Sequence, residues 1–198
     1  MPDVAVRSAS EEDRQVVIDV ITLAFSTDPM ARWAYPHPAT YLVAMPETIK
    51  AFGGKGFAHG SVHLADEGAA AAMWLPPGVE SDAERLGELS ERYSPPERLT
   101  EMMQVFEQMG AYHPHEPCWF LPLIGVDPTR QGHGYGSALL RHALEQCDRD
   151  KVAAYLESSN PRNVPLYERH GFQALGSIQA GSSPTIVPML RRPIPSRR

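Results

Sequence analysis

Cysteine is scarce in this chain: Cys118 and Cys147 are the only two among 198 residues, and no Cys-x-x-Cys pair occurs. A structural zinc site therefore has no framework. Long apolar runs are missing too. The longest uncharged apolar stretch, Gly68 to Val79, holds Pro76 and Pro77 and is too short to cross a bilayer. Positive charge is in deficit, with a net charge of −6, whereas a nucleic-acid footprint needs clustered Lys and Arg. The one basic cluster, Arg191, Arg192, Arg197 and Arg198, reads as a solvated end. Nothing after Met1-Pro2-Asp3 resembles an apolar signal core. These absences predict a reduced, cytoplasmic protein that engages neither nucleic acid nor membrane.

What is present is an ordinary globular composition. Hydrophobic residues make up 42% and charged residues 21%, enough apolar surface to offset chain entropy in one domain spanning residues 1–198. Strand patterns cover Val4 to Arg7, Ser61 to Ala65, Ala70 to Leu75, Cys118 to Val126, Ala153 to Glu157, Phe172 to Gln179 and Thr185 to Leu190. Helical spacing starts after Ser10, with Asp13 at the capping-box position, and Asp28-Pro29 ends that helix. Further helices are expected over about Tyr41 to Phe52, Ala83 to Tyr93, Pro96 to Ala111, Ser137 to Cys147 and Pro165 to His170. Alternation of strands and helices in the last third implies a parallel pair joined by a crossover, hence an α/β (α+β) fold. The stripe Met102, Met103, Phe106 and Met109 reads as core.

The most informative segment runs from Val126 to Ser137, leaving an apolar strand and entering an amphipathic helix. Gly132, Gly134 and Gly136 let the backbone turn tightly with amides free, and the helix N-terminus adds partial positive charge. A diphosphate is the natural occupant. A P-loop would need Gly-Lys-Ser/Thr, which is absent. A dinucleotide fingerprint would want Gly or Ala where Ser137 stands, and no acidic ribose partner follows at the usual distance.

The pattern that fits is Gln/Arg-x-x-Gly-x-Gly/Ala, as Gln131, Gly134 and Gly136. It resembles the signature of the GCN5-related N-acetyltransferase (GNAT) superfamily. Asn163, then a short helix with Tyr167 and the Gly171-Phe172 end, is similar to that superfamily's C-terminal motif. His113 to Val126, with Glu116 to Leu121 inside it, and Tyr155 to Phe172, with Pro161-Arg162-Asn163, are also similar to puromycin N-acetyltransferases, as are the length and the early Ala24-Phe25 and Asp28-Pro29. The resemblance implies a mixed sheet of about seven strands flanked by helices, with a splayed parallel pair. Pro122, which removes a ladder donor inside the strand before the loop, is tolerable beside such a splay.

The resemblance further implies acetyl-CoA as co-substrate, with no metal. Backbone at Ile124 and Val126 would bond the pantetheine arm. The turn of Gln131, Gly132, His133, Gly134, Tyr135, Gly136 and Ser137 would grip the diphosphate, and Asn163 would contact the arm. Tyr167 would protonate the departing thiolate. A base must take a proton from the acceptor ammonium; Glu116, at the start of the strand before the loop, is the first candidate and His115 the second. His113 with His115, and His59 with His63, lack a third metal ligand. Trp33, Tyr35, Tyr93 and Tyr112 are candidates to line an acceptor cleft. Residues 78–117 exceed what a hairpin needs and are expected to be a helical insertion forming part of that cleft. The expected function is direct acetyl transfer to a primary amine of a small molecule, an amino-nucleoside being one candidate; the alternative is a non-catalytic acyl-CoA sensor. A homodimer is left open.

Overall fold

The computed structural model describes residues 4–194. Within them a seven-stranded sheet has the order β1-β2-β3-β4-β5-β7-β6, where β1 is Val6–Ser8, β2 Val62–Ala65, β3 Ala70–Leu75, β4 Cys118–Val126, β5 Ala153–Ser158, β6 Gln173–Ala174 and β7 Val187–Arg191. Every neighbouring pair is antiparallel except β4 with β5. That parallel pair needs the crossover supplied by α6 (Tyr135–Asp150).

The sheet is covered on both faces, which explains the unbroken apolar run of β3. Ala71 and Met73 point into a core with Val17, Ile18, Ile21, Tyr41, Ala44 and Ile49 from α1 (Arg14–Ala24) and α3 (Pro38–Gly53). Ala70, Ala72 and Trp74 point the other way, onto Leu139, Leu140 and Ala143 of α6. The α1 helix packs on β4 at Gly125, where a Cβ would stand 2.7 Å from that of Ala24. α4 (Ala83–Tyr93) and α5 (Leu99–Tyr112) occupy the long connection between β3 and β4.

Three expectations need correction. Asp28-Pro29 does not simply end a helix: the Asp28 carboxylate accepts from the Met30 and Ala31 amides and starts α2 (Pro29–Ala34), with Pro29 at the first position. The strand expected over Phe172 to Gln179 shrinks to β6, in register with Leu190 and Met189 of β7, and an isolated bridge between Ile178 and Ile186. Arg191 is no solvated tail residue. It is buried in β7 and its guanidinium pairs with Asp148 at 2.8 Å; Arg197 and Arg198 lie outside the described residues.

Candidate active site

Pairing between β4 and β5 runs from Cys118↔Ala153 to Leu121↔Leu156 and stops there. The next residue of β4 is Pro122. On the other edge of β4, Leu75 faces Phe120 and Met73 faces Leu123, a register shift that sets Leu121 and Pro122 together opposite Trp74. The bulge bends β4 at the residue that has no amide to lose. Beyond it β4 is held by β3 alone and β5 by β7 alone. The gap opens into a cavity of about 800 Å³ whose wall includes Leu123, Ile124, Gly125 and Val126. Backbone groups of 123–126 that point away from β3 thus face open space.

One end of this cavity is the glycine turn. Asp127 holds its entry by accepting from the Thr129 amide and hydroxyl, both at 2.8 Å. Gly132 and Gly134 take φ of +80° and +90°, which side chains with a Cβ adopt only under strain. Gln131, Gly132, Gly134, Tyr135, Gly136 and Ser137 all contribute to the wall, as does Asn163. His133 does not: its Nδ1 lies 3.1 and 2.9 Å from the Arg130 and Gln131 carbonyl oxygens. Carbonyls only accept, so Nδ1 carries the proton and the ring braces the turn from outside. Tyr135 is buried with its hydroxyl donated to Asp66 at 2.9 Å, and Ser137 Oγ is 2.8 Å from His170 Nε2. Arg130, Arg141, Arg162 and Arg169 line the same cavity. Among the described residues none of the four makes an ion pair. These scattered arginines, which no local pattern in the sequence singles out, add positive charge to an anion-binding turn.

Tyr167 stands on α7 (Val164–Arg169), buried and edge-on to Phe172 at 6.1 Å between ring centroids. Burial, with the Asp28 charge adding to it, raises its phenol above the ordinary range, so the hydroxyl keeps its proton. Two carboxylates share this cavity, Asp28 and Glu157. Glu157, on β5, accepts from the Tyr155 hydroxyl at 2.9 Å. The residue is half-buried on the cavity wall, and the desolvation of its carboxyl pushes it up to about 7.

Glu116, the first candidate for the base, is not in this cavity. It is exposed, 3.0 Å from Arg192, and borders a separate hollow of about 240 Å³ with His115 and Cys118. The reason is directional: the cavity opens past Pro122, at the C-terminal half of β4, whereas Glu116 precedes its N-terminal end. Chemistry in parallel strand pairs sits at the C-terminal side. His113 is likewise turned away, its ring edge-on to Tyr155 and Phe120. Burial pushes the Cys118 thiol up to about 11 and the Cys147 thiol up to about 12, so neither supplies a thiolate near neutral pH.

At the far end, Tyr35 is the only one of the four proposed aromatics that lines the cavity, with its hydroxyl 2.9 Å from Thr48 Oγ1. Trp33 is buried and donates to Ser182 Oγ at 3.1 Å, while Tyr93 and Tyr112 stand outside the wall. Met102 is buried in the core with α1 and α3, Phe106 packs against that core and Met109 against a smaller one, and all three also line the cavity, while Met103 is 60% exposed. Phe25, Met30, Met45 and Phe52 complete this apolar end.

A family model described as the acetyltransferase (GNAT) family matches residues 83–172. An uncharacterised N-acetyltransferase of Schizosaccharomyces pombe is 37% identical over 78 residues, 38% of this chain and 32% of that protein. A mycothiol acetyltransferase of Salinispora tropica is 44% identical over 54 residues, 25% of this chain and 18% of that protein. The matches thus span about a third or less of these curated relatives. Among solved structures, a Corynebacterium glutamicum protein described as histone acetyltransferase HPA2 and related acetyltransferase superposes with a TM-score of 0.70 at 26% identity, covering 98% of this chain and 99% of that one. A Drosophila melanogaster polyamine N-acetyltransferase, which forms N-acetylagmatine, gives 0.67 at 14% identity, covering 96% and 100%; that likeness speaks for the fold alone.

Proposed function

Residues 83–172 match the GNAT acetyltransferase family and the chain has the GNAT fold, and from that premise we propose that it transfers acetyl from acetyl-CoA directly to a primary amine of a small molecule. The observation that carries the reading is the end of β4–β5 pairing at Leu121↔Leu156, which joins an anion-binding turn to a cavity holding Tyr167 and Glu157.

The residues present fit the co-substrate. The turn 131–136 and the unpaired arginines suit a diphosphate. The free edge of β4 at 123–126 suits an amide-bearing arm that pairs as a strand does. Glu157, pushed to about 7, is matched to accepting a proton from an ammonium at neutral pH. The neutral amine then attacks the thioester carbonyl; a C–N bond forms and the C–S bond breaks as Tyr167 gives its proton to the departing sulfur. The second proton shed by nitrogen as the amide forms returns to the Tyr167 phenolate, and the proton held by Glu157 passes to solvent. Backbone amides of the splayed strand can stabilise the oxyanion that develops. Direct transfer accords with two thiols that stay protonated.

Leu86, Ser90, Met102, Phe106 and Met109 of α4 and α5 enter the apolar end, which supports residues 78–117 as part of the acceptor site. An amino-nucleoside such as puromycin stays one candidate acceptor, from the resemblance of residues 113–126 and 155–172, although the apolar acceptor end is built from other segments. The test is free-thiol release from acetyl-CoA across an amine panel that includes puromycin. Amine-dependent release is expected. Tight acetyl-CoA binding with no release for any amine would leave the sensor reading instead.

A further inference from the structure

We infer that the acceptor carries a second positive charge, received by Asp28 and Ser159, so that its class is a diamine or a guanidinium-bearing amine. The inference rests on the acetyl-transfer reading of this same cavity.

Asp28 is 8% exposed and lines the cavity. Its Oδ1 accepts from the Met30 and Ala31 amides, both at 3.0 Å, which completes the cap of α2. Among the described residues its Oδ2 accepts only from Ser159 Oγ, at 2.7 Å, although a carboxylate oxygen has room for about two donors. Capping needs an oxygen and no charge: Ser, Thr or Asn would serve as well. The charge is therefore in excess of the cap. It is also uncompensated, because among the described residues neither Asp28 nor Glu157 makes an ion pair. Buried charges are ordinarily paired. Burial holds the Asp28 carboxyl above its ordinary range despite three donors.

Ser159, the partner of Asp28, lies two residues beyond Glu157. Glu157 and Ser159 both line the cavity, and two residues of extended chain separate them by roughly 7 Å. Phe25, Met30, Met45 and Phe52 line the apolar end of the same cavity, a surface for methylene groups. A monoamine would satisfy one carboxylate and leave the other without a counter-charge. The four arginines line the same cavity, which thus offers positive charge to an anionic donor and two carboxylates to a cationic acceptor.

The experiment compares 1,5-diaminopentane with 1-aminopentane on wild type, Asp28→Asn and Asp28→Ser, reading kcat/KM by thiol release and affinity for the protein–CoA complex by calorimetry. Both substitutions keep a capping oxygen, so the fold is retained. Wild type is expected to favour the diamine by on the order of 10-fold or more, and each variant to bring that ratio close to one. A ratio near one in wild type, an unchanged ratio in both variants, or no binding of the diamine overturns the inference. Diamine binding that depends on Asp28 without acetylation would uphold it and sink the transfer reading; equal acetylation of both amines would do the reverse.

Discussion

The Tyr155 hydroxyl donates a 2.9 Å hydrogen bond to Glu157 Oε1, yet the carboxyl it supports is still pushed up to about 7. One neutral donor does not offset the loss of bulk water around a charge. An acid held in this balance is half ionised near neutral pH, where a base for amine chemistry is most useful.

The first prediction concerns this acid. kcat/KM should rise with pH through a midpoint near 7 as Glu157 ionises. Glu157→Gln should lower it by about 10²- to 10⁴-fold and remove that midpoint. Glu116→Gln, outside the cavity, should retain the profile. Stability follows the opposite sign. The folded carboxyl is raised above its unfolded value, so the folded state binds the proton more tightly, and this stabilisation is lost as pH rises through about 7. Glu157→Gln should therefore raise Tm at pH 8 more than at pH 5, corresponding to about 1–3 kcal/mol. A pH-rate profile with no midpoint near 7 would remove the assignment.

Tyr167 should act only once the thiolate departs. Its phenol is raised by burial and by Asp28, so it stays a proton donor across the working range. Tyr167→Phe should reduce kcat on the order of 10²-fold while leaving the acetyl-CoA Kd within about 2-fold. Paired turnover and calorimetry measurements decide it, and full turnover would refute the role.

Gly134 has φ of +90° at the N-terminus of α6. A β-branched side chain there is strained and stands where backbone must approach a diphosphate. Gly134→Val should lower acetyl-CoA affinity by at least about 100-fold while the far-UV spectrum is kept. Normal affinity by calorimetry would exclude the turn as the diphosphate site.

His63 is buried in β2, edge-on to His142 with ring centroids 4.7 Å apart, and its Nδ1 has no partner. Burial, then the charge of His142, lowers it to about 4. Its folded value lies below the unfolded one, so the unfolded chain binds a proton that the folded chain refuses. Stability is intact above the ordinary histidine range and is lost as pH falls toward 4. His63→Gln should flatten the fall in Tm between pH 7 and pH 4.5. A wild-type Tm that is constant over that interval would contradict the reading.

The sequence by itself determined whatever short-range chemistry imposes. Gly132 and Gly134 announce a left-handed turn, the following amphipathic run announces a helix, and Pro122 marks a strand that cannot be paired on both edges. Each is a steric or hydrogen-bonding property of a few adjacent residues, so each is legible along the chain. Tertiary structure alone decided which charges meet. Glu116 is next to the informative strand in sequence but before the end of it that opens, whereas Asp28 and Glu157, far apart in the chain, share one cavity. The four arginines converge for the same reason. Electrostatic function depends on distance through a low-dielectric interior, and that distance exists only once the sheet has brought its strands together.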